Sequence, residues 1–358
     1  MRWDVFCRVI DNYGDLGVCW RLAADLGARG EQVRLWVDDP SALAWMAPAG
    51  AAGVTLVRWR ASTPIPAPGE VVVEAFGCDP PAAFVARMAA AQPPPVWINL
   101  EYLSAEDWVQ RSHGLPSPQA GGPGAGLLKW FYFPGFDAGG LLREPALAAA
   151  QRDFDAAAWL QARGWAPRPG ERCASLFCYD DAPLPALLPL LAAQPTLLLL
   201  TPGPAQRLVR AAALPGSVRC IELPWLEQPQ FDRLLWACAL NFVRGEDSLV
   251  RAIWAGRPFV WQPYPQADDA RRAKLDAFLA RYLGDAPPPL QAQLGALWRA
   301  WAGAGPPPGA LPDPAAWREH AQRFAQARWC EPDLVTRLLA FVAAHAGPAG
   351  GGSREGSR

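Results

Sequence analysis

Two short stretches of this chain carry residue types that can do chemistry. The first is Asp11-Asn12-Tyr13-Gly14-Asp15-Leu16-Gly17. Gly14 and Gly17 let the backbone turn tightly, so both carboxylates can be presented to a cleft. One would act as a general base while the other orients it or binds a cation. Asp15 at this spacing also suits the cap of a following helix, and spacing alone leaves both roles open. The second stretch is Arg244-Gly245-Glu246-Asp247-Ser248. A helix opening here offers free N–H groups and its positive dipole end to a phosphate, with Arg244 and Arg251 adding charge. Ser248 can touch that phosphate or, like Asp247, serve as the helix cap. Glu246 can accept hydrogen bonds from ribose hydroxyls or from a cationic acceptor.

Both stretches fall where an apolar strand gives way to a helix. In the first half, strands are predicted at Trp3–Ile10, Gln32–Val37, Val54–Trp59, Val71–Phe76 and Val96–Leu100, with helices at Gly17–Arg29 and Pro81–Ala91. The pattern restarts with strands at Cys173–Tyr179, Thr196–Leu200, Val218–Leu223, Leu240–Arg244 and Phe259–Trp261. Helices are expected between them at Leu184–Ala193, Ala205–Ala213, Gln230–Cys238 and Ser248–Ala255, and after them at Asp269–Tyr282. Near-continuous apolar strands alternating with helices imply βαβ units and parallel sheets, so two doubly wound α/β halves are expected. The halves are assigned to residues 1–160 and 170–312, joined near a helix at Arg152–Arg163. A last helical segment at about 314–345 could pack across either half, back on the first being one option, and residues 347–358 are expected to form a disordered tail. A Gly/Pro/Ser loop at His113–Gly126 reads as functional or mobile. Two strand-end loops, one per half, suggest a cleft in which one half holds a donor and the other an acceptor.

Composition narrows the choices. The chain has 358 residues, 51% hydrophobic and 19% charged, which is ample for real cores. Its net charge of −1 argues against a polybasic nucleic-acid binder. The N-terminus Met1-Arg2-Trp3-Asp4 has no apolar signal region. The longest uncharged stretch, Ala182–Gln206, is broken by six prolines and does not suit a membrane span. Eight cysteines without a CxxC read as buried free thiols, and a cytoplasmic location is expected. The three histidines, His113, His320 and His345, leave little for a zinc site or a Ser-His-Asp triad; the last two read as surface residues. No GxxxxGK[ST] loop is present, and no GxGxxG follows the first strand, which disfavours a nicotinamide-dependent oxidoreductase. Carboxylates, arginines, aromatics and backbone amides remain, and no metal or cofactor is expected.

Longer motifs resemble a known family. Trp3–Leu22, Asn99–Trp108, His113–Pro118 and Phe133–Phe136 in the first half are similar to the EarP family of protein-arginine rhamnosyltransferases, which act on elongation factor P. Asn241–Ser248 and Trp261–Gln266 match in the second half, and the resemblance reaches about residue 345. It implies a GT-B glycosyltransferase fold, with two Rossmann-like domains facing a central cleft. It further implies an inverting, metal-independent enzyme that uses dTDP-β-L-rhamnose as donor. The acceptor would be one arginine on the N-terminal domain of elongation factor P, with no nucleic acid or membrane as partner.

By the same resemblance, Asp15 is the general base, with Asp11 near it and Glu246 completing the catalytic group. Asn12, Gly14 and Gly17 would line the donor side, with Phe177, Tyr179, Gln228, Phe231, Arg244, Asp247 and Ser248 facing them. Phe177 or Phe231 would stack on thymine, while Tyr179 and Ser248 would hydrogen-bond the diphosphate. From the residues alone, Phe177, Tyr179 and Phe231 read as core. Two departures stand out: Arg271, where histidine is common in the family, and the Gly-rich Gln119–Gly124. The alternatives are a GT-B enzyme with another sugar donor or acceptor, and a non-catalytic binder of elongation factor P.

Overall fold

The computed structural model describes residues 1–10, 13–265 and 268–346, with Asp268 and Asp269 described in backbone only. Asp11, Asn12 and the expected tail at 347–358 lie outside the described residues. The first half contains β1 (Arg2–Cys7), α1 (Gly14–Ala28), β2 (Gln32–Val37), α2 (Leu43–Met46), β3 (Val54–Arg58) and β4 (Val71–Ala75). It continues with α3 (Ala82–Ala90), β5 (Val96–Leu100), α4 (Trp108–Ser112), β6 (Pro116–Pro118) and β7 (Leu128–Tyr132). These strands form one sheet in the order β3-β2-β1-β4-β5-β7-β6, parallel except for the β6–β7 pair. Central strands such as Val71–Ala75 and Val96–Leu100 are buried throughout, as parallel strands covered on both faces must be.

Two short helices, α5 (Leu147–Arg152) and α6 (Ala156–Ala162), lead to the second sheet. That half runs β8 (Arg172–Leu176), α7 (Leu184–Ala192), β9 (Thr196–Leu200), α8 (Pro204–Arg210), β10 (Val218–Glu222), α9 (Gln228–Ala237), β11 (Leu240–Arg244), α10 (Gly245–Ala255) and β12 (Phe259–Gln262). Its five strands, all parallel, lie in the order β10-β9-β8-β11-β12. Then come α11 (Asp268–Leu283), α12 (Pro288–Trp301), α13 (Pro314–Trp329) and α14 (Leu334–His345). In each sheet the strand order reverses beside its first strand, between β1 and β4 and between β8 and β11. Ligands of doubly wound sheets bind at such a reversal, beyond the carboxyl ends of the strands.

Several expectations change. The helix expected over Arg152–Arg163 is two, because Asp155 caps a new start by accepting from Ala158 N at 3.0 Å. The segment 314–345 is likewise two helices, since Asp333 caps α14 by accepting from Thr336 N at 2.8 Å. The break sends them apart: Trp317 of α13 joins the core of the second sheet, while Leu334, Val335, Leu338 and Val342 of α14 join that of the first. His320 is buried rather than on the surface, with Nε2 2.7 Å from the Tyr282 carbonyl, and half-buried His345 stacks on Phe341. The His113–Gly126 loop contains β6, which closes the sheet edge against β7. All eight cysteines are free thiols, most of them buried.

Candidate active site

On the first sheet, the carboxyl ends of three strands supply the side chains. Asp15 follows β1, Phe76 follows β4 and Tyr102 follows β5. The cap position of α1 is Tyr13, so Asp15 lies inside the first helical turn and does not cap it. Its buried carboxylate instead accepts from Ile10 N at 2.9 Å and from the Tyr102 hydroxyl at 3.1 Å. Tyr102 is held by stacking on Phe76, with ring centres 4.3 Å apart and planes 11° from parallel. Phe76 reaches that position with φ of 58°, a backbone region bulky residues rarely adopt and one that costs on the order of 1–3 kcal/mol.

On the second sheet, Phe177 and Tyr179 follow β8, and Arg244 ends β11. The Arg244 guanidinium lies over both rings, at 4.5 Å from Phe177 and 4.4 Å from Tyr179, while its Nη1 donates to the Cys178 carbonyl at 3.0 Å. Phe231, from the first turn of α9, meets Phe177 edge-on at 5.6 Å. Helix α10 starts at Gly245 with φ of 64°, so neither Asp247 nor Ser248 occupies its cap position. Ser248 Oγ accepts from Arg244 N at 3.0 Å and donates back to the Arg244 carbonyl. Its hydroxyl is spent on holding this turn.

The two halves touch through these same elements. Gln228 Nε2 donates to the Gly17 carbonyl at 3.0 Å. A Cβ at Gly17 would lie 3.3 Å from that amide nitrogen, so glycine permits the approach. Arg21 of α1 reaches across to Asp232 at 3.1 Å, to Asp247 at 3.2 Å and to Glu144 at 2.8 Å. Arg251 pairs with the same Asp232 and Glu144. Burial works against ionised Arg21, yet Asp232, Asp247 and Glu144 outweigh it and hold its pKa above the ordinary value. Burial pushes Asp247 up while Arg21 opposes the rise. Glu246 Oε2 accepts from Leu103 N at 2.8 Å, and its other oxygen pairs with Lys274 of α11. Burial pushes the Glu246 carboxyl up as well, opposed by Lys274.

Two adjoining pockets result. The first, about 780 Å³ of space partly open to solvent, has the aromatic floor of Phe177, Tyr179 and Phe231, the Arg244 guanidinium, and the first turn of α10 as its wall. A cleft with this aromatic and cationic lining suits a nucleotide. Tyr13, Trp45 and Trp225 converge at one side of it, with Trp45 and Trp225 ring centres 4.6 Å apart. The second pocket, about 690 Å³ of space partly open to solvent, is lined by Asp15, Phe76, Tyr102 and Tyr264. Gly14, Gly245, Glu246 and Asp247 line both, so a ligand in one pocket abuts a ligand in the other.

The residues named from sequence are therefore brought together, apart from Asp11 and Asn12, which lie outside the described residues. Gly14, Gly17, Gln228, Asp247 and Ser248 line the first pocket, but polar groups of the last three are engaged with the protein itself. Sequence reasoning missed Tyr102, Phe76, Trp45, Trp225 and Lys274. A signal existed for two of them: Phe76 and Tyr102 sit one and two residues past apolar strands, where side chains face the ligand side.

Two Rossmann-type sheets, meeting at their strand-order reversals around a pocket lined by aromatic rings and Arg244, define a glycosyltransferase of the GT-B fold. Among solved structures, the glycosyltransferase SnogD from Streptomyces nogalater shares this fold, with a TM-score of 0.52 and 17% identity over 97% of this chain and 100% of that one.

The chain belongs to the EarP family: the family model described as Elongation-Factor P (EF-P) rhamnosyltransferase EarP matches residues 3–343. It is 43% identical over 378 residues to a protein-arginine rhamnosyltransferase of Pseudomonas aeruginosa, covering 95% of this chain and 98% of that protein. It is 36% identical over 397 residues to that of Shewanella oneidensis, covering 95% and 97%. The solved structure described as the structural basis for EarP-mediated arginine glycosylation of translation elongation factor EF-P superposes with a TM-score of 0.64 at 31% identity, covering 96% of this chain and 99% of that one.

Proposed function

We propose that this chain is a protein-arginine rhamnosyltransferase that moves L-rhamnose from dTDP-β-L-rhamnose to one arginine on the N-terminal domain of elongation factor P. The reaction inverts the anomeric carbon, gives an α-rhamnosyl-arginine and needs no metal. The observation that carries this reading is the adjoining pair of pockets: aromatic rings and Arg244 beside a helix N-terminus in one, the carboxylates of Asp15 and Glu246 in the other. Family membership supports the acceptor and the sugar. Among the described residues no helix is long and apolar enough to cross a membrane, and we place the reaction in the cytoplasm with its translation-factor acceptor.

The chemistry follows from the acceptor. A guanidinium has a pKa above about 12 and a delocalised lone pair, so a carboxylate does not deprotonate it in the ground state. Asp15 and Glu246 grip it through charge-assisted hydrogen bonds and turn one nitrogen toward the sugar. The nitrogen–carbon bond forms at the face opposite dTDP as the anomeric carbon–oxygen bond breaks. The nitrogen's proton passes to Asp15 late, as the new bond localises charge on that nitrogen. The departing diphosphate gathers negative charge, which the free N–H groups of α10 and Arg244 stabilise. Thymine stacks on Phe177 or Phe231.

Intact-mass analysis of elongation factor P after incubation with this protein and dTDP-β-L-rhamnose tests the reading. One added deoxyhexose on a single arginine, absent with Asp15→Asn, is expected. No added mass with both proteins folded refutes the donor or the acceptor, and a panel of nucleotide sugars then decides between them.

A further inference from the structure

Of the chain's 33 basic residues only two are lysine, Lys129 and Lys274. Both are used in the same way, each ammonium pairing with a largely buried glutamate and lying over an aromatic ring. Lys129 Nζ is 2.7 Å from Glu74 and 4.9 Å from the Trp97 ring centre. Lys274 Nζ meets Glu246 Oε1 and lies 5.8 Å from the Tyr102 ring centre. Elsewhere arginine neutralises buried carboxylates, as Arg21 and Arg251 do at Asp232; lysine differs in bringing a compact point charge rather than a planar fork. The first pair sits within the sheet of the first half. The second opens onto the pocket that holds Asp15 and Tyr102.

Lys274 reaches Glu246 and the Tyr102 ring from α11, whereas Glu246 comes from α10 and Tyr102 from the loop after β5. With Leu103 N on one Glu246 oxygen and Lys274 on the other, the carboxylate is fixed at the wall common to both pockets. We propose that Lys274 is a positioning residue for the acceptor: its ammonium keeps the negative charge on Glu246 and fixes its direction, so that the incoming guanidinium meets a carboxylate rather than a carboxylic acid. This inference rests on the arginine-acceptor reading of the pocket.

Electrostatics agree with the geometry. Burial pushes the Glu246 carboxyl up, Lys274 opposes that, and Asp15 across the pocket adds to the rise. The charged and titratable groups around Glu246 are Lys274 on α11, Asp15 on α1, Asp247 beside it on α10, and Glu101 and Tyr102 after β5. Of these, Asp15 favours a protonated Glu246, whereas Lys274, together with the Leu103 N–H, favours the charged form.

The test uses the full-length protein, elongation factor P and dTDP-β-L-rhamnose, with wild type measured first. A wild type that transfers no rhamnose overturns the functional reading and this inference together; with a working wild type, only the variants bear on Lys274. Lys274→Met and Lys274→Gln are expected to lose about tenfold or more in kcat/KM for the acceptor at neutral pH, mostly through KM. The acidic limb of their kcat/KM profile should move up by about one pH unit or more, with dTDP affinity unchanged. Lys274→Arg should return that limb toward wild type. Lys129→Met, the control, should lower stability and leave the limb in place. An unmoved limb in both neutral variants, no return with arginine, or loss of dTDP binding in both neutral variants overturns the proposal.

Discussion

The turns after β1 and β11 look alike in sequence, each pairing glycine with acidic residues at the start of a helix, yet they use their polar side chains in opposite ways. In the β11–α10 turn, Ser248 closes on the Arg244 backbone and Asp247 is held by Arg21. The turn is tied down by its own residues and by the opposite half, and it lines the pocket of Phe177, Tyr179 and Arg244. In the β1–α1 turn, Asp15 does not cap its helix. Its oxygens take Ile10 N and the Tyr102 hydroxyl, a partner 87 residues away. The difference lies in what holds each group: Ser248 closes on its own turn and Asp247 on a cation of the opposite half, whereas the Asp15 carboxylate is held by Ile10 N and the Tyr102 hydroxyl at the wall of the second pocket.

The largest expected effect separates the two turns directly. Asp15→Asn should cut the rate of rhamnose transfer by about 10²–10⁴-fold, as loss of a general base does, while dTDP binding measured by calorimetry stays unchanged. A parallel loss of dTDP affinity would break the division of labour between the turns. The bridge joining them should come next. Asp232→Ala strips a shared carboxylate from buried Arg21 and Arg251, and urea unfolding should show a loss of about 3–5 kcal/mol.

The same bridge has a pH signature. Burial opposes ionisation of Glu144, but Arg251 and Arg21 outweigh it and bring its pKa from 4.5 down to about 2. Between those values the unfolded chain binds the extra proton. The stabilisation is therefore fully present above about pH 4.5 and is lost as pH falls through about 2. Glu144→Gln should flatten that part of an acid-unfolding curve; an unchanged curve would remove Glu144 from the bridge.

Smaller effects sharpen the comparison on the donor side. Phe177→Ala should weaken dTDP binding by about 1–3 kcal/mol, the worth of one stacked base, with little change in acceptor KM. If Phe231→Ala alone has that effect, Phe231 is the stacking platform instead. Ser248→Ala should cost about 1 kcal/mol of stability through the loosened turn. A donor KM that rises far beyond this cost would mean that the hydroxyl leaves Arg244 to meet the diphosphate.

Much of the fold was legible in the residues. The apolar strands of both halves stand where the sequence puts them, because strands buried on both faces write themselves as runs such as Val71-Val72-Val73 and Leu197-Leu198-Leu199-Leu200. Their ends were less legible. Trp3–Ile10 and Cys173–Tyr179 read as strands, but pairing stops at Cys7 and Leu176, which turns Phe177 and Tyr179 from core strand into pocket floor. Helix Pro288–Trp301 and strand Leu128–Tyr132 were also missed. The strand is flanked by a Gly-rich stretch, and its residues are mostly half-buried or exposed, so it lacks the usual apolar run.

The sequence by itself determined the class of chain: two doubly wound halves, their strand-end loops, and the acids, aromatics and arginines those loops carry. These depend on local periodicity and turn chemistry, which act over a few residues. What each group does was decided only in three dimensions. Asp15 and Ser248 were each a cap or a working group by spacing, and the choice fell to partners far away or close by. Glu246 meets Lys274, Arg21 meets Asp232, and Tyr102 meets Asp15 only because the fold brings distant strand ends and helices to one cleft. A buried charge is tolerated only with a counter-charge at hand, and the counter-charge comes from whichever element the fold brings within reach.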